Sequence, residues 1–344
     1  MTLPFHTTRR ARVAGMALAS VILGAGASAA QTLDKVKQRG SLVCGVSEGI
    51  AGFSAPNGAK WTGFDVDLCR ALAATVLGDA EKVRYVPLNA NDRFAALQSG
   101  AIDVLSRNST WTMSRETEFK LVFPAVTYYD GQGFMIHRDR PASSALELDN
   151  TKVCVESGTT TELNLVDFFH ANRMQLATVT LATAKEAADA YNAGRCDVLT
   201  SDVSQLHAQR LTLSKPDDHV ILPDVISKEP LGPAVRQGDD QWANILKWTV
   251  FAMINAEELG ITSASLDQAL SSTKPEVKRL VGTEGNFGKQ MGLPRDWAVR
   301  VIRAVGNYGE VFERNVGTDS RLGIPRGLNH LWTTGGILYA PPIR

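Results

Sequence analysis

The sequence predicts an α/β protein built on a largely parallel sheet, and three observations carry that prediction. Strand and helix patterns alternate along the chain from Gly40 on, the same order begins again at Thr151, and polar or Gly-rich stretches follow the strands. The 344 residues are 44% hydrophobic and 21% charged, the composition of an ordinary globular protein with length for two domains. Lys plus Arg equals Asp plus Glu at 36 each, so no charge excess exists to drive binding to phosphate backbones or anionic lipid. Nucleic acid is not expected as a partner.

The N-terminus reads as a secretory signal peptide over residues 1–30. "RRAR" at 9–12 is followed by the apolar run "VAGMALASVILGAGA" and the small-residue stretch "ASAA". The run is about five residues short of a bilayer span, which argues against a membrane anchor and for cleavage near Ala30. The Arg9-Arg10 pair is followed by "ARV", a poor fit to a twin-arginine signal, so the general secretory route is expected. Export places the four cysteines, Cys44, Cys69, Cys154 and Cys196, where thiols pair. None lies in a C-x-x-C pair and the six histidines do not cluster, so two disulfides are expected and no metal.

"GSLVCGVSEG" reads as a short buried strand running into a Gly-rich loop, and "GFDVDLCRALAATVLG" as an amphipathic helix closed by Gly78. A strand at 82–88, a helix at 91–100 and a strand "AIDVLS" follow. The second round comprises strand 151–158, a helix from about Thr160 to Arg173, strand "QLATVTL", helix 184–195 and strand "CDVLTSD". "RFAALQSGAIDVLSRN" and "AADAYNAGRCDVLTSD" share one order: helix, Gly, an Asp-Val-Leu strand, then a polar loop. Segments 128–139 and 225–240, rich in Gly or Pro, read as paired crossover strands between two lobes. The apolar helix "QWANILKWTVFAMINAEELG" then returns the chain to the first lobe. Residues 261–344, helical around 295–314, have glycines at 282, 285 and 288 that do not spell G-x-G-x-x-G, so no dinucleotide site is expected and the segment decorates the first lobe.

In open α/β sheets ligands collect beyond the carboxyl ends of the strands. The loop "RNSTWTMSRETEF" (107–119) lies at such an end and carries Arg115, whose guanidinium offers a planar fork of donors matching a carboxylate. "SGTTTEL" has the capping pattern with Thr159 at N-cap and Glu162 at N3, so a helix N-terminus with free N–H groups opens there, a site suited to an anion. Asp202 ends a strand on the same side of the second lobe and can accept from an ammonium group. Each feature alone has a plainer account as a surface ion pair, a cap or a turn residue. Together they complement a zwitterion, the α-carboxylate and α-ammonium of a free amino acid, with Ser109, Thr110 and Thr160 completing the hydrogen bonding.

"GFDVDLCRALAATV", "RFAALQSGAIDVL", "SRETEFKLVFPAVTYYDGQ", "VESGTTTE" and "GRCDVLTSD" occur in the order and spacing of a known family. The chain from about 42 to 258 resembles the polar amino-acid family of periplasmic solute-binding proteins of ABC transporters, family 3. The resemblance implies a two-lobed type II periplasmic binding protein fold with a two-strand hinge. The expected limits are 31–137 and 229–260 for lobe 1, 138–228 for lobe 2, and 261–344 for a C-terminal extension on lobe 1. It implies that Arg115 clamps the ligand carboxylate, aided by Thr110 and the backbone at Thr160. Asp202 holds the ammonium with the Asn108 carbonyl nearby, and Phe53 covers the ligand side chain. Arg107 and Glu156 in one pocket would serve acidic, amide and basic side chains alike. With the long tail, these are expected features of the general L-amino-acid subgroup.

On this resemblance the cysteines are expected to pair within lobes, 44 with 69 and 154 with 196. The implied protein is a periplasmic monomer that passes free L-amino acids to an ABC permease and needs no cofactor. A periplasmic cyclohexadienyl dehydratase-like enzyme on the same scaffold, with Glu156 as general acid, is the alternative.

Overall fold

A computed structural model describes residues 1–3 and 32–344. The predicted signal peptide lies almost wholly outside the described residues.

The first half-unit runs α1 (Thr32–Arg39), β1 (Leu42–Val46), a hairpin of β2 (Ala55–Asn57) and β3 (Lys60–Thr62), α2 (Phe64–Leu77), β4 (Val83–Pro87), α3 (Arg93–Gln98) and β5 (Val104–Leu105). β1 is central and pairs in parallel with β4 on one side and β5 on the other. α2 ends where predicted, at Gly78, whose φ of 72° is left-handed backbone that glycine takes without steric cost. Next come α4 (Met113–Thr117), β6 (Leu121–Val122), β7 (Tyr128–Asp130) and β8 (Gln132–His137).

The second sheet has the order β10-β9-β11-β8-β12. It is made from β9 (Thr151–Glu156), α5 (Thr160–Ala171), β10 (Leu176–Leu181), α6 (Ala184–Asn192), β11 (Val198–Asp202), α7 (Val203–Arg210) and β12 (His219–Ile221), with β8 as an antiparallel member. The parallel triplet β10-β9-β11 repeats the arrangement of β4-β1-β5, with the first strand of the unit in the middle. This placement of β8 corrects the expected boundary after residue 137: Gln132–His137 already pairs with β11, so the chain crosses over at Gly131.

The crossover is a short antiparallel pair, β13 (Glu229–Leu231) against β7, with Glu229 opposite Asp130. β14 (Val235–Arg236) then pairs with β6, and α8 (Asp240–Glu258) closes the first lobe. Trp242, Ile245 and Leu246 of α8 share a core with Leu42, Cys44 and Val46 of β1, and the Trp242 indole N–H donates to the Asp103 carbonyl at 3.0 Å. An apolar helix face packed on the sheet explains why that strongly hydrophobic segment folds here.

The C-terminal segment holds the short helices α9 (Leu266–Ala269), α10 (Pro275–Leu280), α11 (Trp297–Val305) and α12 (Tyr308–Asn315). α11 packs against α2 and α8, while Tyr308 and Phe312 of α12 pack on Phe64. Two of its side chains reach the crossover. The Tyr308 hydroxyl donates to the Thr127 carbonyl at 2.8 Å, and Asn329 bonds both the N–H (2.7 Å) and the carbonyl (3.1 Å) of Tyr129.

Both expected disulfides are present. Cys44–Cys69 ties β1 to α2 and Cys154–Cys196 ties β9 to the residue leading into β11, so each bridge stays within one lobe.

Candidate functional site

The carboxyl ends of β5, β9 and β11 bring three loops from the two lobes together. The loop after β5 is anchored from below by Asp65, in the first turn of α2, which accepts from the Ser106 hydroxyl (2.9 Å) and the Asn108 N–H (3.0 Å). Burial pushes the Asp65 carboxyl up to about 6, against the lowering effect of those two bonds. Asn108 sits at a φ of 30°, a left-handed position that asparagine tolerates better than most residues. The loop then runs along the crossover: the Trp111 N–H donates to the Pro230 carbonyl, and the Gly232 N–H to that of Ser109.

A cavity of about 20 Å³ lies where these loops meet, between the lobes. From the first lobe it is lined by Arg107, Asn108, Thr110 and Arg115, and from the second by Glu156, Thr159, Thr160 and Asp202, all anticipated from the sequence. Two anticipated residues are elsewhere. Phe53 is fully buried in the core, its ring edge-on to Tyr128 at 5.5 Å, because the 50–54 turn closes on itself and points it inward. Ile50 and Ala51 line a neighbouring cavity in its stead. Ser109 is also fully buried and donates to the Arg107 carbonyl at 2.9 Å, bracing the loop instead of lining the site.

Arg115 is held by the N-cap of α4, where its N–H donates to the Thr112 hydroxyl, and by a bond from Nη1 to the Thr110 carbonyl at 2.5 Å. Its Nε and Nη2 donate to no described residue. Burial brings its pKa down to about 10, with Glu229 and Asp202 opposing, so it stays charged at neutral pH. Arg93, at the first residue of α3, is a second guanidinium at this cavity and was not anticipated. It is buried, lies over the Phe94 ring on which Arg115 also rests, and reaches the Gly158 carbonyl of the other lobe at 3.4 Å. Burial, then Arg107 and Arg115, lowers its pKa.

Opposite stands Asp202, the last residue of β11. Its carboxylate accepts no hydrogen bond from any described residue and is only 7% exposed. Burial, then Asp130 and Glu229, holds its pKa well above the usual carboxylate range, while Arg115 and Arg93 pull it down. Asp130, pushed up to about 6 mainly by burial, accepts from the N–H groups of Gly131 and Ser204. A buried acid without hydrogen-bond donors is costly by itself and strongly favours a cation beside it.

Besides the Arg93–Gly158 bond, three groups of contacts bridge the lobes around the cavity. Arg107 and Glu156 form a buried ion pair at 3.3 Å, and Asn108 Nδ2 donates to Gln205 Oε1 at 3.0 Å. The third centres on Glu229 of β13, which accepts from Thr110 (2.6 Å) in one lobe and from Thr160 (2.9 Å) and Asn164 (2.8 Å) in the other, as well as from Ser227 (2.6 Å). Each threonine hydroxyl has a single proton, and both are committed to Glu229, so towards the cavity Thr110 and Thr160 present only lone pairs. Thr110, expected to aid Arg115 at a bound carboxylate, thus has its hydroxyl turned to Glu229. The donors left for an anion are Arg115, Arg93 and the N–H groups of Thr160 and Thr161 at the start of α5, which carries the predicted Thr159 cap on Glu162. Glu229→Gln places an amide N–H₂ against these donors. It should weaken ligand binding about tenfold, near the 1.5 kcal/mol of one charged hydrogen bond, with less closed form by small-angle scattering.

Residues 42–264 match the family described as bacterial extracellular solute-binding proteins, family 3. The chain is 55% identical to the general L-amino acid-binding periplasmic protein AapJ of Rhizobium johnstonii, over 96% of this chain and 98% of that one. It is 54% identical to the glutamate/glutamine/aspartate/asparagine-binding protein BztA of Rhodobacter capsulatus, over 96% and 97% of the two chains. Among solved structures, an ABC transporter/periplasmic binding protein from Brucella ovis with glutathione bound is 52% identical and superposes with a TM-score of 0.90, over 92% of this chain and 100% of that one. These relatives are named as binding proteins and not as enzymes, so the dehydratase alternative gains no support from them.

Proposed function

The chain belongs to the bacterial extracellular solute-binding proteins of family 3, and on that premise we propose that it is the periplasmic substrate-binding component of an amino-acid ABC transporter. It captures free L-amino acids, those of the glutamate, glutamine, aspartate and asparagine types among them, and hands them to the membrane permease. Residues 1–30 serve as the export signal, and the released protein acts as a monomer.

The observation that supports this most is the opposition, inside one buried cavity, of guanidinium groups on the first lobe to an unpartnered carboxylate on the second. The ligand α-carboxylate lies against Arg115, with Arg93 and the α5 N-terminus adding positive potential. Its ammonium donates to Asp202 and to the lone pairs of the threonines. At the side-chain end, Arg107 and Glu156 satisfy each other and still present both signs of charge, which suits broad acceptance over selection of one side chain.

Titration calorimetry against the twenty amino acids tests this. Several should bind, while N-acetylglutamine and glutamine α-amide should lose about 100-fold. N-acetylglutamine binding as well as glutamine would remove the ammonium contact, and a single binder among the twenty would remove the breadth.

The pH response follows from the same groups. A bound ammonium favours ionised Asp202, whose pKa burial holds above the usual carboxylate range, so binding releases protons and affinity should rise as pH climbs through that raised range. Stability of the free protein runs the other way. Asp65 and Asp130 have folded pKa values raised to about 6, so their contribution is fully present below the ordinary carboxylate range and lost as pH rises through about 6. The melting-temperature gain on adding glutamine should therefore be larger at about pH 7.5 than at about pH 5. A gain independent of pH would count against Asp202 as the ammonium partner.

A further inference from the structure

A second cavity of about 620 Å³ adjoins the charged one, and the two share Arg107 and Glu156 as a common wall. That volume lies in the range of sites that hold whole ligands of drug size. It is far more than the side chain of a glutamate or glutamine needs. Its walls come from both lobes: Ile50, Ala51 and Pro56 on one side, Ala184, Ala188 and Gln209 on the other. Beyond the Arg107–Glu156 pair the charged residues on its lining are Glu48, Lys185 and Asp189. All three are exposed, and Lys185 is already paired with Asp189 at 2.5 Å. The interior is therefore neutral and mostly apolar.

One polar group breaks that pattern. Gln209, on α7 and only 7% exposed, donates from Nε2 to the Ala184 carbonyl at 3.0 Å, while its Oε1 is buried with no hydrogen-bond partner among the described residues. The charged cavity holds a matching acceptor, Asn108 Oδ1, likewise buried and unpartnered. Buried amide oxygens are normally satisfied, and each of these calls for an N–H donor. A ligand that fits both carries an ammonium at its head and a neutral N–H further along its chain.

We propose that the larger cavity is an annex for the residues joined through the γ-amide in γ-linked glutamyl peptides. Such a ligand keeps the free α-carboxylate and α-ammonium that the charged cavity grips, as read above, and passes its γ-amide by the Arg107–Glu156 pair. Its peptide N–H donates to Gln209 Oε1, and its remaining residues lie along the alanine-lined wall. A peptide joined through the α-carboxylate has lost the group Arg115 would hold, so the annex serves γ-linkage only.

Calorimetry with L-glutamine, γ-L-glutamyl-L-alanylglycine and its α-linked isomer tests this on the mature chain. The parent should bind glutamine and the γ-peptide and reject the α-isomer. Ala51→Trp and Ala184→Trp, which fill the annex from opposite lobes, should keep glutamine affinity within threefold and weaken the γ-peptide at least 30-fold. Gln209→Leu, which removes the acceptor with little change of volume, should weaken the γ-peptide about tenfold and leave glutamine unchanged. The annex is overturned if glutamine binds the parent and the γ-peptide does not, or if Gln209→Leu and either folded tryptophan variant leave the γ-peptide as tight as in the parent. Failure of glutamine itself to bind the parent overturns the reading of the charged cavity and the annex with it.

Discussion

Arg115→Ala should weaken binding of glutamine or glutamate by about 30- to 4,000-fold, corresponding to about 2 to 5 kcal/mol for truncating one partner of a buried charge pair. The size of the effect has two sources. The ligand carboxylate loses a two-pronged partner that is itself buried and aimed by the Thr112 cap and the Thr110 carbonyl. Asp202, whose raised pKa Arg115 pulls back down, loses that cation. Arg115→Lys keeps the charge and gives up the planar fork, so it should fall between parent and alanine. Calorimetry decides it: an alanine variant that binds glutamine within threefold of the parent means the carboxylate is held elsewhere, with Arg93 the first place to look.

Asp202→Asn should produce two effects of opposite sign. Amino-acid affinity should drop by a comparable 2 to 5 kcal/mol, about 30- to 4,000-fold, because the ammonium is left with only neutral acceptors. The free protein should become more stable at neutral pH. Asp202 is a desolvated acid crowded by Asp130 and Glu229, and neutralising it relieves that repulsion. Melting curves with and without glutamine separate the two effects, since a merely disruptive substitution lowers both quantities. The pH dependence of affinity should also flatten, as the group that titrates on binding is gone. A variant that binds and melts like the parent at every pH would exclude Asp202 from the site.

Much of this arrangement was legible in the sequence, and the parts that were not share a cause. The alternation of strands and helices, the two rounds of it, the cap at Thr159 and the helix end at Gly78 are local signals, written within a few neighbouring residues. Arg115 and Asp202 were visible because loops at strand ends have one common destination in such sheets, and Arg107 and Glu156 through the family resemblance. Arg93 was passed over as a helix residue, although one signal marked it. A cation in the first turn of a helix opposes the helix dipole, so something outside the helix must hold it there. Glu229 was hidden because three of its four donors, Thr110 and the α5 residues Thr160 and Asn164, lie far from it in the chain. Phe53 was misplaced because the two-residue difference between lining a cavity and filling a core depends on a turn that closes only in three dimensions. The larger cavity is outlined mostly by small residues, and small residues carry no periodic signal of the space they leave.

The grip of Tyr308 and Asn329 on the strand around Thr127–Tyr129 has a mechanical outcome. A segment stapled on that side behaves as part of a rigid frame, so any swing of one half of the molecule against the other is taken up beyond it, at Asp130–Gly131 and the facing Ser227–Lys228. Confining the pivot to so short a span fixes the axis about which the two halves can turn.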